Sequence, residues 1–92
     1  METDRVRVSQ AVRASISADG LVLLDVQGGL ILASNPVGAR IWQLVEQQFT
    51  HLEIARQLAQ DYSVPIERAH RDVVAFVAAL AARGLVTEEP AC

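Results

Sequence analysis

The chain has no lysine, one cysteine and four aromatic residues, Trp42, Phe49, Tyr62 and Phe76. Each scarcity excludes something. A lone cysteine, Cys92 at the last position, rules out a disulfide framework or a cysteine-rich zinc site within the chain. His51 and His70 stand 19 residues apart with no cysteine or carboxylate at ligand spacing beside them, so no metal and no other cofactor is expected. Eight basic residues, all arginine, face eleven acidic ones for a formal charge of −3. That balance argues against nucleic acid, whose phosphates need a basic face, and the arginine-only usage reads as GC-rich coding. No apolar run reaches the roughly 20 residues that span a bilayer. The polar start Met1-Glu2-Thr3-Asp4-Arg5 lacks the apolar segment of a signal peptide, so the expectation is a cytoplasmic protein with no membrane attachment.

What is present is apolar material, 51% of 92 residues, enough for one modest core and too little length for a second. The expectation is a single domain over residues 1–92, with its core at about 8–87 and a flexible C-terminal tail. Few aromatics leave the core to Val, Leu, Ile and Ala, the larger of which contribute about 1.5–3 kcal/mol each when buried.

Alternation places Val12, Ala14 and Ile16 on one face of a first strand and Arg13, Ser15 and Ser17 on the other. A short extended arm over residues 6–9 precedes it. Ala18-Asp19-Gly20 supplies a turn, residues 21–26 a second strand, Gln27-Gly28-Gly29 another turn, and residues 30–33 a third strand, making an antiparallel meander. Asn35 as N-cap and Pro36 at the first helical position open a helix running to about Gln48, with Val37, Ile41, Leu44 and Val45 inward beside Trp42. Thr50 and Glu53 have the spacing of a capping box for a second helix, with Leu52, Ile54, Ala55, Leu58 and Ala59 inward. The third helix covers residues 66–83, buries an arc of Ile66, Ala69, Val73, Phe76, Val77 and Leu80, and ends at Gly84 as a left-handed cap. Leu85 and Val86 pack back beneath it, and residues 87–92 form a solvated tail.

No nucleophile, base and orienting group form a catalytic motif. The acidic residues sit in turns and on helix surfaces, Gly28 and Gly29 lack a phosphate loop's spacing and lysine, and no enzyme activity is expected. The second and third helices beside a hairpin resemble a winged helix-turn-helix. Carboxylates among the arginines of Glu67-Arg68-Ala69-His70-Arg71-Asp72, and alanines at the exposed positions beyond, oppose DNA recognition. Leu30-Ile31-Leu32-Ala33 is apolar on successive residues and closes a meander, so it is either a strand covered on both faces or an edge open to an incoming peptide strand.

The ordered set Asp19-Gly20-Leu21-Val22-Leu23-Leu24-Asp25, Gly29 to Asn35 and Gly38-Ala39-Arg40-Ile41-Trp42 resembles the PqqD-like proteins, also called RiPP recognition elements. The likeness continues through Thr50, Glu53-Ile54-Ala55, Leu58, Tyr62, Val64, Asp72-Val73, Phe76, Leu80 and Gly84-Leu85-Val86. It implies an α+β, winged-helix-turn-helix-like domain, a three-stranded antiparallel sheet followed by three α-helices. It also implies a function: binding the leader segment of a ribosomally made precursor peptide as a strand beside the third strand, in a cleft bordered by the third helix. The strand contacts it implies are Gly29, Leu30, Ile31, Leu32 and Ala33, and the helix contacts Ala69, Asp72, Val73 and Phe76, with Asp72 at the rim. Without a fused cyclase, radical-enzyme or protease domain, the chain looks like the discrete leader-binding protein of a lasso-peptide pathway. A separate leader peptidase and a macrolactam synthetase would then be its partners. The alternatives are the peptide chaperone of pyrroloquinoline quinone synthesis and a winged-helix DNA-binding protein.

Overall fold

A computed structural model describes residues 5–89. Its elements run β1 (Arg5–Val8), β2 (Val12–Ser17), β3 (Gly20–Asp25), β4 (Leu30–Ser34), α1 (Pro36–Glu46), α2 (His51–Tyr62), α3 (Ile66–Ala82) and β5 (Val86–Glu89). The expected meander is the antiparallel sheet β2-β3-β4, so the third expected strand is β4. Asp25 makes the β3–β4 turn: its Oδ1 accepts from the main-chain N–H of Gln27 (3.0 Å) and Gly28 (3.1 Å).

The chain departs from a three-strand count at its ends. The arm expected over residues 6–9 is β1, and it pairs antiparallel with β5 as a separate two-stranded ribbon. Thr87, Glu88 and Glu89 are therefore strand rather than solvated tail, and residues 90–92 lie outside the described residues. The ribbon forms because Val6, Leu85 and Val86 are all buried in the core, each contributing about 1.5–3 kcal/mol. His51 at the start of α2 adds a contact, its Nε2 3.3 Å from Glu88 Oε1.

The helices start and stop where their caps dictate. Asn35 Oδ1 accepts from Gly38 N–H at 2.9 Å. At α2, Thr50 Oγ1 accepts from Glu53 N–H while Glu53 Oε1 accepts from Thr50 N–H, closing the capping box. Gly84, at φ 74°, ends α3 with bonds from Gly84 N–H to Ala81 O and from Leu85 N–H to Leu80 O, a Schellman arrangement. This turn aims buried Leu85 into the core and delivers the chain to β5.

Leu21 and Leu23 from the sheet meet Ile41, Trp42, Leu44 and Val45 of α1, Ile54, Ala55 and Leu58 of α2, and Val73, Val77 and Leu80 of α3 in one core. Three expected inward positions are exposed. α1 packs on β3, β4 and β1, so β2 overhangs the helices, and Ala14 and Ile16 face the helix side without cover. Val37, in the first turn of α1, is also exposed. Among the described residues no helix is long and apolar enough to cross a membrane.

Arg40 on α1 and Gln57 on α2 both donate to Asp61, Nε to Oδ2 and Nε2 to Oδ1, each at 3.0 Å. The Gln57 hydrogen bond first, and then that of Arg40, hold the Asp61 carboxyl below its ordinary range. A carboxylate whose folded pKa lies below its unfolded one contributes stability above the unfolded value and loses it as pH falls through the folded value. Asp61→Asn is accordingly expected to melt slightly below the parent at neutral pH, the gap closing below about pH 4. The effect is small because the pair is exposed. Thermal melts across pH measure it.

Candidate functional site: the open edge of β4

Strand register decides which main-chain groups of β4 are free. Ser17 pairs with Gly20 across the two-residue turn Ala18-Asp19, and the closing pair of such a hairpin is hydrogen-bonded. Because hydrogen-bonded and non-bonded pairs alternate in antiparallel sheets, Ser15–Val22 and Arg13–Leu24 belong to the same series. The 3.0 Å bond from Val26 N–H to Ala11 O continues it. Gly20, Val22 and Leu24 thus spend their main-chain groups on β2, leaving Leu21, Leu23 and Asp25 to bond β4. Their partners are Ser34, Leu32 and Leu30. Ile31 and Ala33 consequently aim both N–H and C=O away from β3, and among the described residues no strand pairs with that side of β4. Two donors and two acceptors stand in a row at strand spacing.

The expected site residues lie at β4 and on α3. Gly29, exposed at φ 71°, leads into β4. Leu30 enters through its main-chain pairing with Asp25. Ile31 is 67% exposed and lies, with exposed Ala33, on the face turned away from the helices, because both pair with the outward Leu24 and Val22. Leu32 lies on the opposite face and packs half-buried against the core. The four α3 positions divide: Ala69 and Val73 are buried in the core, Asp72 is exposed, and Phe76 is half-buried. Asp72 and Phe76 sit four residues apart, one above the other on one flank of the helix. The Asp72 carboxylate forms no ion pair among the described residues.

Two residues that sequence reasoning did not assign to the site shape it. A Cβ built on Gly38 would meet the Oγ of Ser34 and lie 3.1 Å from Cε1 of Phe76. Gly38 therefore lets the first turn of α1 close onto the end of β4 and seats the Phe76 ring there. Its sequence signals were its place in the family pattern and its position three residues beyond the N-cap Asn35, and neither carries information about close approach.

An extended row of free main-chain groups beside the exposed apolar side chains of Ile31 and Ala33 suits an extended peptide. The family model described as coenzyme PQQ synthesis protein D (PqqD) matches residues 20–86, which include β3 and β4 of the meander, all three helices and the start of β5. The chain belongs to the PqqD family. No curated protein matches it. Among solved structures, this PqqD-family chain is similar to one described as TbiB1 in complex with the TbiA(beta) leader peptide. They are 35% identical with a TM-score of 0.81, over 87% of this chain and 93% of that one. A second similar structure is a lasso peptide synthetase B1 complexed with the leader peptide, 27% identical with a TM-score of 0.81, over 89% of this chain and 96% of that one. The PqqD-like resemblance read from the sequence is thereby established as family membership.

Proposed function

We propose that this protein captures the leader segment of a ribosomally made precursor peptide as a strand added to β4, and delivers it to a separate leader peptidase and macrolactam synthetase for lasso-peptide maturation. The observation that carries the reading is the open edge, where Ile31 and Ala33 direct their N–H and C=O groups outward with no described strand opposite. Two similar structures are leader-peptide complexes, and that supports the same partner here. The protein acts as a cytoplasmic binding module without catalysis or cofactor, its helices and β3–β4 hairpin forming a winged-helix-like frame for peptide capture. Gly29 to Ala33 supply the strand contacts, Asp72 and Phe76 the rim, and Ala69 and Val73 the packing that holds the rim in place. Tethering the leader raises the local concentration of the precursor at its enzyme, because the second encounter becomes effectively intramolecular.

Titration of 15N-labelled protein with a synthetic leader from a precursor gene beside its own tests the proposal. Amide shifts are expected at Ile31, Ala33 and the Asp72–Phe76 flank; shifts centred on α1, or none, would overturn it. In the same titration Asp72→Ala is expected to weaken binding about threefold to tenfold, as for an exposed charged hydrogen bond. Unchanged affinity would remove Asp72 from the rim and leave strand addition standing. Leader capture also requires that the reconstituted peptidase cleave the precursor more slowly without this protein.

A further inference from the structure

The face of the sheet turned away from the helices changes character from one edge to the other. Solvated faces of antiparallel sheets are ordinarily polar, and at β2 this one is, with Arg13, Ser15 and Ser17. β3 breaks the rule with Val22, 46% exposed, and Leu24, 38% exposed, and β4 continues the break with Ile31 and Ala33. Each cross-strand column becomes apolar toward the open edge: Arg13–Leu24–Ile31 in one, Ser15–Val22–Ala33 in the next. The two columns differ in height at that edge. Ile31 stands proud, whereas Ala33 ends at its methyl group and leaves Val22 uncovered behind it.

We infer that the captured strand is read on this outward face, by a bulky apolar side chain lying across Ala33 onto Val22 and an aliphatic one beside Ile31, two residues apart. The inference rests on the leader-strand reading of the β4 edge and adds a second set of contacts to it. A strand added at β4 must continue the pleat, so alternate side chains necessarily fall on the outward face. The notch over Ala33 accepts volume that the Ile31 column has no room for. The apolar half-face is continuous with the open edge, and that continuity assigns it to the added strand.

The test is selection of a displayed random twelve-residue peptide library on the intact chain, on Ala33→Val and on Ile31→Thr, with the selected peptides resynthesised for affinity and 15N amide mapping. Both variants place a β-branched side chain on an exposed face, and matched melting curves check their fold. Peptides from the parent are expected to share a bulky apolar residue and an aliphatic one at spacing two. Ala33→Val is expected to bind them at least about fivefold more weakly and to select a smaller residue at the bulky position. Ile31→Thr is expected to lose the aliphatic preference. Equal affinity and identical selected residues in both variants, with amide shifts still at Ile31 and Ala33, would overturn outward-face reading and leave edge capture intact. Selected peptides whose shifts avoid β4 would overturn both.

Discussion

Ala33→Pro is expected to fold like the parent and to lose about tenfold to a hundredfold in leader affinity. The register gives the reason. Ala33 points its N–H to the free side of β4, so a proline ring there removes a donor that no described strand uses. Edge strands accommodate proline on that side. The guest strand instead meets a ring where it needs a hydrogen bond and is left with an unpaired carbonyl, a loss of about 1–3 kcal/mol. Leu32→Pro, one residue away, is expected to unfold the protein, because Leu32 spends its N–H on Leu23 and packs against the core. Calorimetric binding and thermal melts on the two variants separate site from scaffold. An Ala33→Pro variant that binds leader with parental affinity would exclude strand addition on β4.

The second large effect is expected at Gly20, the first residue of β3. Its φ is 140°, a region that side chains other than glycine adopt only at about 1–3 kcal/mol. A Cβ at this position would also run into the main-chain carbonyl oxygen of Ser34, which cannot rotate aside as a side chain does. Gly20→Ala is therefore expected to lower the melting temperature by more than about 10 °C, given 4–8 °C per kcal/mol in a domain of this size. Gly29→Ala is the control. It too has positive φ, at 71°, but nothing lies within 4 Å of a Cβ there, so it carries only the left-handed penalty of about 1–2 kcal/mol. The difference between the two melts measures how closely β3 and the end of β4 must approach. Equal losses would mean that Ser34 moves freely, and that the end of β4 is not held as the site requires.

The three helices were legible because their signals are local. Asn35 with Pro36, Thr50 with Glu53, and Gly84 each act within about one turn of the helix they bound, and the observed ends follow them closely. The meander was legible for the same reason: its strands are neighbours in sequence, joined by short turns at Ala18-Asp19 and Gln27-Gly28-Gly29. Local signals carry no information about the β1–β5 ribbon, whose strands stand at opposite ends of the chain. Period-two alternation placed Ala14 and Ile16 with Val12 but could not know that the helices stop short of β2. The family resemblance grouped Ala69, Asp72, Val73 and Phe76 as contacts, and packing divides them into buried Ala69 and Val73, half-buried Phe76 and exposed Asp72.

The sequence by itself determined the three helices and their caps, the strands of the meander, the apolar strand that ends it and the family pattern, since all of these depend on residues within a few positions of one another. The tertiary structure decided that no described strand covers the far side of β4, that Ile31 and Ala33 rather than Leu30 and Leu32 direct their main-chain groups there, and that Gly20 and Gly38 admit close neighbours. Those facts depend on register and on contact between segments distant along the chain. A local pattern can permit such geometry, and only the assembled packing selects it.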